Sequence, residues 1–155
     1  MKKILLLALV LLFSLNGFAQ LSADEVEYIQ SIFGMEKRAA IEEMLDPDEN
    51  ADSFWKLYDQ YELERKDLGK NRIDLLEKYA ENYESMSNED VDNLIKESMD
   101  LSMKTDKLIN KYYKKIKNEV GSVPAAQFYQ IEHYLLSEIR AAILGEMDLI
   151  EAVKQ

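Results

Sequence analysis

The chain has 155 residues, with 30 acidic side chains against 19 basic ones and a formal net charge of −11. This acidity argues against general binding to nucleic acid or to anionic membranes, because both of those partners are themselves negatively charged. The chain has no cysteine, which excludes disulfides and lipid attachment through cysteine. Its five glycines and two prolines favour long helices with few breaks.

Residues 1–19 have the pattern of an export signal. Two lysines precede a short apolar run, and small residues precede a cleavage site before Gln20. The run is shorter than the ~20 apolar residues that span a bilayer, so a cleaved leader is favoured over a membrane anchor. We therefore expect a periplasmic protein that is not a lipoprotein and has no stable membrane insertion. Its mature part, residues 20–155, forms a single domain with a net charge of −13 once the two leader lysines are removed.

The first mature segment, residues 20–45, is predicted to form an N-terminal helix or arm. Ser22 to Glu25 resemble a capping box, and apolar residues then recur at helical spacing. Gly34 is expected to interrupt this helix. After it, residues 35–45 continue either as a second short helix or as an irregular arm.

Two long helices are predicted next, over residues 46–84 and 87–121. In both, apolar and aromatic residues recur at alternating spacings of four and three, which is a heptad pattern. Ser87 to Asp90 provide a helix cap, and Gly121 ends the second helix. Because only a few residues join them, the two helices must fold back as an antiparallel hairpin.

A last helix is predicted over residues 123–145, beginning near Pro124, followed by a tail of residues 146–155 after a break at Gly145. No segment shows the alternation that is typical of strands. The predicted fold class is therefore all-α, a long antiparallel helical hairpin with shorter N- and C-terminal helices.

The first long helix carries more aromatic side chains than a two-helix seam requires. This excess predicts either a third helix packed against it or an exposed contact face. The aromatic residues concerned are Phe54, Trp55, Tyr58, Tyr61, Tyr79 and Tyr83.

Basic residues suggest a surface that binds polypeptide. Lysines recur at helical spacing on the second long helix, with tyrosines among them, and two arginines occupy seam positions on the first. The arginines either face a concave surface or pair with acids of a neighbouring helix. The lysines could instead be a solvated face, or bind the chain's own acidic N-terminal arm. The candidate residues are Arg65, Arg72, Lys104, Lys107, Lys111, Tyr112 and Lys114.

No motif for catalysis or for a cofactor is present, so neither an enzyme nor a bound cofactor is expected. The acidic run from Asp46 to Asp52 begins like a calcium loop, but Ala51 and Leu57 occupy the positions that require glycine and glutamate. His133 is a lone histidine, and Met99 and Met103 pack a core more readily than they bind Cu(I).

Residues 45–49 (LDPDE) and 123–127 (VPAAQ) flank the predicted hairpin and are similar to the L-T-x-x-Q motif of the Spy/CpxP family of periplasmic stress proteins. Leu45 and Gln127 match the first and last letters of that motif. The order of elements over residues 45–140 resembles the family as well. Residues 54–83 are also similar to uncharacterised exported bacterial helical proteins. The family resemblance implies a dimeric cradle that binds unfolded clients without ATP.

The leading functional hypothesis is therefore a Spy-like homodimer that binds unfolded or exposed polypeptide in the periplasm. One alternative is a specific adaptor for a single envelope partner such as a stress sensor. A second alternative is a metal-responsive periplasmic protein.

Overall fold

The computed structural model describes residues 34–35, 37–39, 41–43, 51–82 and 85–146. This part of the chain contains helices and no strand, which confirms the all-α fold class. Helix α1 includes the described residues between 34 and 43, and the three long helices follow it. They are α2 (Ala51–Asn82), α3 (Asn88–Glu119) and α4 (Ser122–Glu146).

Several sequence predictions lie outside the described residues. They are the export signal, the capping box at Ser22, the helix start at Asp46 and the tail from residue 147. The described residues between 35 and 43 are helical, so of the two structures predicted for this segment the helix is the one observed there. Gly34 is itself helical.

Helices α2 and α3 pack antiparallel, as their short connection predicts. Lys111 Nζ lies 2.7 Å from Glu64 Oε1, and Lys78 Nζ lies 3.4 Å from Glu97 Oε1. As residue numbers rise along α2, those of their partners on α3 fall. Helix α3 also packs along α4, where the rings of Tyr113 and Tyr129 have centroids 5.8 Å apart.

The predicted heptad seam forms two apolar clusters between these helices. The smaller cluster lies near the α2–α3 connection, and the larger one lies at the other end, where α4 and α1 join it. The smaller cluster consists of Leu75, Tyr79, Met86, Leu94 and Leu101. The larger consists of Ile41, Phe54, Leu57, Tyr58, Tyr61, Leu108, Ile109, Tyr112, Ile116, Ala125 and Phe128.

The aromatic excess of α2 is explained by these additional helices. Phe128 of α4 packs edge-on against Tyr58 and Tyr61, with ring centroids 6.4 and 5.0 Å apart. Ile41 of α1 is buried in the same cluster. Of the two alternatives drawn from the sequence, the packed third helix is therefore confirmed for Tyr58 and Tyr61.

Helix ends follow local sequence signals, with one correction. Ser87 caps α3 in a full capping box with Asp90, and Gly121 adopts a φ of 134°, which favours glycine because it has no Cβ. Helix α4 begins at Ser122, one residue before the predicted start, and Pro124 is accommodated because the N–H groups of the first turn have no partner within the helix. It also continues through Gly145 to Glu146, since one helical glycine costs only ~1 kcal/mol.

We predict that Ser87→Ala lowers the free energy of unfolding by about 1 kcal/mol, because the substitution leaves the Asp90 N–H without its acceptor. Urea denaturation followed by circular dichroism measures the change. Ser85→Ala is the matched control, since Ser85 lies in the same connection and its hydroxyl donates only a long hydrogen bond, 3.3 Å, to the Asn82 carbonyl. Equal effects of the two substitutions would contradict the role of the cap.

Candidate polypeptide-binding surface

A continuous ridge of exposed side chains runs along the outer side of α3. Ile95, Met99 and Met103 follow one another at a spacing of four residues, and they are 42%, 63% and 50% exposed. Residues four apart on a helix are neighbours, so the three form one apolar strip. The same spacing continues into Lys107 and Lys111, which are also exposed. We call these five residues the α3 ridge. It is apolar over its first half and basic over its second.

The predicted lysines differ in how far their charge is neutralised. Lys107 and Lys114 are exposed and form no ion pair with any described residue. Lys111 pairs with Glu64 of α2, and hydrogen bonds from Lys111 and Tyr112 hold the pKa of Glu64 below its ordinary value. Lys104 borders a depression of about 340 Å³ between α2 and α3, which is also lined by three acids (Asp74, Glu97 and Asp100). The least neutralised charge is thus at Lys107 and Lys114.

Tyr112 does not face a partner, which corrects its place among the contact residues. It is only 1% exposed, and it packs against Tyr61 in the larger core cluster. Its hydroxyl donates a 2.8 Å hydrogen bond to Glu64, and burial together with that bond raises the pKa of Tyr112 to about 12. Lys115 lies over its ring, 4.7 Å from the centroid. Tyr112 is therefore a core residue that lies beneath the exposed lysines of α3.

The two predicted arginines lie on the other edge of α2, towards α4 and α1. Arg65 Nε donates to Glu62 of its own helix at 2.9 Å. Arg72 is half-buried, and burial together with the nearby Arg140 of α4 lowers its pKa. Glu64, on the opposite edge of α2, meets Lys111. The structure therefore does not bring the arginines and the lysines onto one contact face.

A buried charged cluster that no sequence motif indicates holds α1 against α2 and α4. Lys37 is 1% exposed, and its Nζ lies 2.7 Å from Glu62 Oε1 and 2.7 Å from Glu132 Oε1. The Tyr61 hydroxyl donates a 2.6 Å hydrogen bond to Glu132. Lys37 Nζ also lies 5.1 Å from the centroid of the Tyr61 ring, within the range of a cation–π contact.

The electrostatics of this cluster favour a charged Glu62 and neutral tyrosines. Burial alone would raise the pKa of Glu62, but Lys37 and Arg65 outweigh burial and hold it below the ordinary value. Burial and the negative charge of Glu132 raise the pKa of Tyr61 well above its usual range. Such a cluster fixes the position of α1, because each charged group is stable only when its partners are in place.

The position of the apolar half of the α3 ridge can be deduced from the spacing of its residues. The spacing of Ile95, Met99 and Met103 places them opposite the seam of Leu94, Leu101 and Leu108. The core packing expected for Met99 and Met103 is therefore wrong, because both side chains are exposed. The sequence carried no comparable signal for the Lys37 cluster, because its members come from three separate helices.

The described residues contain neither a cluster of metal-ligating side chains nor a helix that could span a membrane. No group of three His, Asp or Glu side chains lies together in them in a way that could hold a metal ion. Among these residues there is also no helix with the length and apolar character needed to cross a membrane.

Comparisons with known proteins identify no relative. The chain matches no family model, no curated protein and no solved structure. The resemblance to Spy and CpxP therefore stays a prediction from the sequence.

We predict that Lys37→Met lowers the free energy of unfolding by about 3–5 kcal/mol, because it leaves the buried carboxylate of Glu132 without its cation and leaves Glu62 with Arg65 alone. Urea denaturation measures the loss. Arg38→Met is the matched control: Arg38 neighbours Lys37, but its ion pairs with Glu42 and Asp59 are exposed, and such pairs contribute about 0–1 kcal/mol. Similar small losses for both variants would contradict the importance of the buried cluster.

We also predict that part of the stability depends on ionised Glu62. Its lowered pKa means that the unfolded chain binds the proton first, so this contribution is present above pH 4.5 and is lost as the pH falls through the folded-state pKa. Urea denaturation between pH 7 and pH 3 should show a smaller loss of stability in Glu62→Gln than in the wild type. Parallel pH profiles would contradict the prediction.

Proposed function

We propose that the protein binds exposed segments of unfolded polypeptide in the periplasm, using the α3 ridge together with Lys114. The supporting observation is the continuity of exposed Ile95, Met99 and Met103 with exposed lysines on one side of one helix. The export-signal pattern of residues 1–19 supports the compartment. A homodimer is part of the proposal, as the resemblance to Spy implies.

The two halves of the ridge have complementary roles in this proposal. Methionine side chains are flexible and polarisable, so they adapt to apolar segments of different shape. The lysines attract acidic segments over a longer distance and increase the rate of encounter. Because the chain as a whole is acidic, that attraction is local and is weakened by salt.

The size of the apolar strip suggests modest affinity. Complete burial of a methionine or isoleucine contributes about 1.5–3 kcal/mol, and these three side chains are already partly covered by their own helix. Ordering a flexible client opposes binding further. Binding through this strip is thus expected to be weak and reversible, which suits a protein that holds unfolded clients and releases them without ATP.

We expect the ridge to be required for suppression of aggregation. Light scattering of a denatured model client, with purified residues 20–155 at several ratios, measures protection. A Met99→Ser/Met103→Ser variant and a Lys107→Glu/Lys114→Glu variant should each lose most of it. In the lysine variant, the loss of protection should be largest at low salt, because charge contributes most to the rate of encounter there.

The matched control variants make the same kinds of substitution, apolar to serine and lysine to glutamate, on α2 instead of α3. Leu63→Ser removes an apolar side chain that is 69% exposed, and Lys70→Glu reverses an exposed charge. Both should retain protection, and circular dichroism should show unchanged helicity in all four variants. Protection that survives both ridge variants would contradict the proposal. Protection absent from the wild type at every ratio would favour an adaptor for a single envelope partner.

A further inference from the structure

Helix α3 has opposite charges in its two halves. Its first sixteen residues, 88–103, carry five acids and one lysine, whereas its last sixteen, 104–119, carry six lysines and two acids. The helix dipole favours such charges only within the first and last turns. A polarity that extends through the whole helix is suited to a partner with the opposite order of charges.

The exposed side of α3 shows the same polarity. Glu89 and Asp92 are exposed in its first half, and Lys114 and Lys117 are exposed in its second half. All four lie on the side of the helix that carries Met103, because their spacings from it are close to whole numbers of helical turns. None of the four forms an ion pair with any described residue, so their charges are available to a partner.

The order of these charges is symmetric about Met103. Asp92 and Lys114 lie eleven residues before and after it, and Glu89 and Lys117 lie fourteen residues before and after it. If a second α3 lies antiparallel to the first, with the two Met103 side chains in contact, each of these acids meets a lysine of the other copy. The outer side of α3 is therefore complementary to itself, as the interface of a twofold-symmetric dimer must be.

The apolar residues fit the same arrangement. Met103 is 50% exposed and would pack against its own copy at the centre. Met99, which is 63% exposed, would lie beside the apolar stem of Lys107, because these two residues are each four positions from Met103. A crossing angle of about 20°, as in coiled coils, keeps two helices in contact over such a length.

We propose that the outer side of α3 binds the same surface of a second copy of this chain, antiparallel and around a twofold axis at Met103. The association is weak, because one pair of helices forms a small interface and both copies carry a net negative charge.

This dimer covers Met99 and Met103, so it competes with the binding of a client to the α3 ridge. The competition rests on the proposed function, whereas the self-association does not. The homodimer is then the resting form of the protein, and the dissociated protomer binds the client.

Sedimentation velocity of purified residues 20–155 at increasing concentration tests the pairing. Glu89→Lys/Asp92→Lys and Lys114→Glu/Lys117→Glu should each weaken dimerisation by about tenfold or more, because like charges then face each other. An equal mixture of the two variants should recover a dimer, since every contact between them again joins opposite charges. Circular dichroism should show unchanged helicity in both.

The matched control, Asp67→Lys/Glu81→Lys, changes the net charge by as much as Glu89→Lys/Asp92→Lys does, at exposed sites of α2. It should dimerise at least as strongly as the parent, because it reduces the overall repulsion. If net charge alone governed association, both variants would dimerise more strongly than the parent. That result would overturn the proposal, as would a parent that is monomeric at every concentration or a mixture that stays monomeric.

Protection of a denatured client separates the competition from the proposed function. Glu89→Lys/Asp92→Lys leaves the α3 ridge and Lys114 unchanged, so it should protect the client better than the parent and better than the α2 control. Equal protection by all three would overturn the competition. Absence of protection in all three would contradict the proposed function, and the competition with it, while sedimentation would still decide whether α3 pairs with itself.

Discussion

The packing around Tyr61 is the interaction on which the rest of the structure depends. Its ring meets Tyr112 of α3 and Phe128 of α4 edge-on, at centroid distances of 5.5 and 5.0 Å. Its hydroxyl binds Glu132, and its face lies beneath Lys37 of α1. One side chain of α2 thus contacts each of the three other helices that the structure describes. Because the chain has no cysteine, no disulfide supports this junction, and packing and hydrogen bonding must stabilise it.

The junction determines which surfaces remain for a partner. It buries the central aromatic residues of α2, which would otherwise be the obvious candidates for contact with apolar polypeptide. It also places α1 and α4 on one edge of α2, where Lys37 and Arg65 pair with Glu62 and Glu132. No described element covers the outer side of α3 in this way, and apolar and basic side chains are exposed there together.

Periodicity was sufficient to predict the helices and their seam. The heptad positions from Phe54 to Tyr79 and from Leu94 to Ile116 are largely buried, and Ser87 and Gly121 mark the ends of α3 as expected. The faces of the helices were harder to predict, because the sequence does not show which neighbour covers each side. Tyr112 illustrates this: it lies among exposed lysines in sequence, yet it faces inward in the fold.

Contacts between distant residues could not be predicted from periodicity. Lys37 and Glu132 are separated by 95 positions, and a buried lysine looks like any surface lysine in a sequence. Arg72 stands out in the sequence because it interrupts an apolar seam, but Arg140, whose charge lowers the pKa of Arg72, shows no such signal. Neither interaction can be predicted from periodicity, because each one joins residues on helices that are far apart in the sequence.

Methionine methyl NMR can show whether an unfolded client contacts the outer side of α3, as we propose. The chain has seven methionines, and Met99, Met103 and Met86 lie on α3 or just before it. On titration with an unfolded client, we expect the Met99 and Met103 signals to shift or broaden and the signal of buried Met86 to stay unchanged. Binding of the client with no change at Met99 and Met103 would show that another surface holds it.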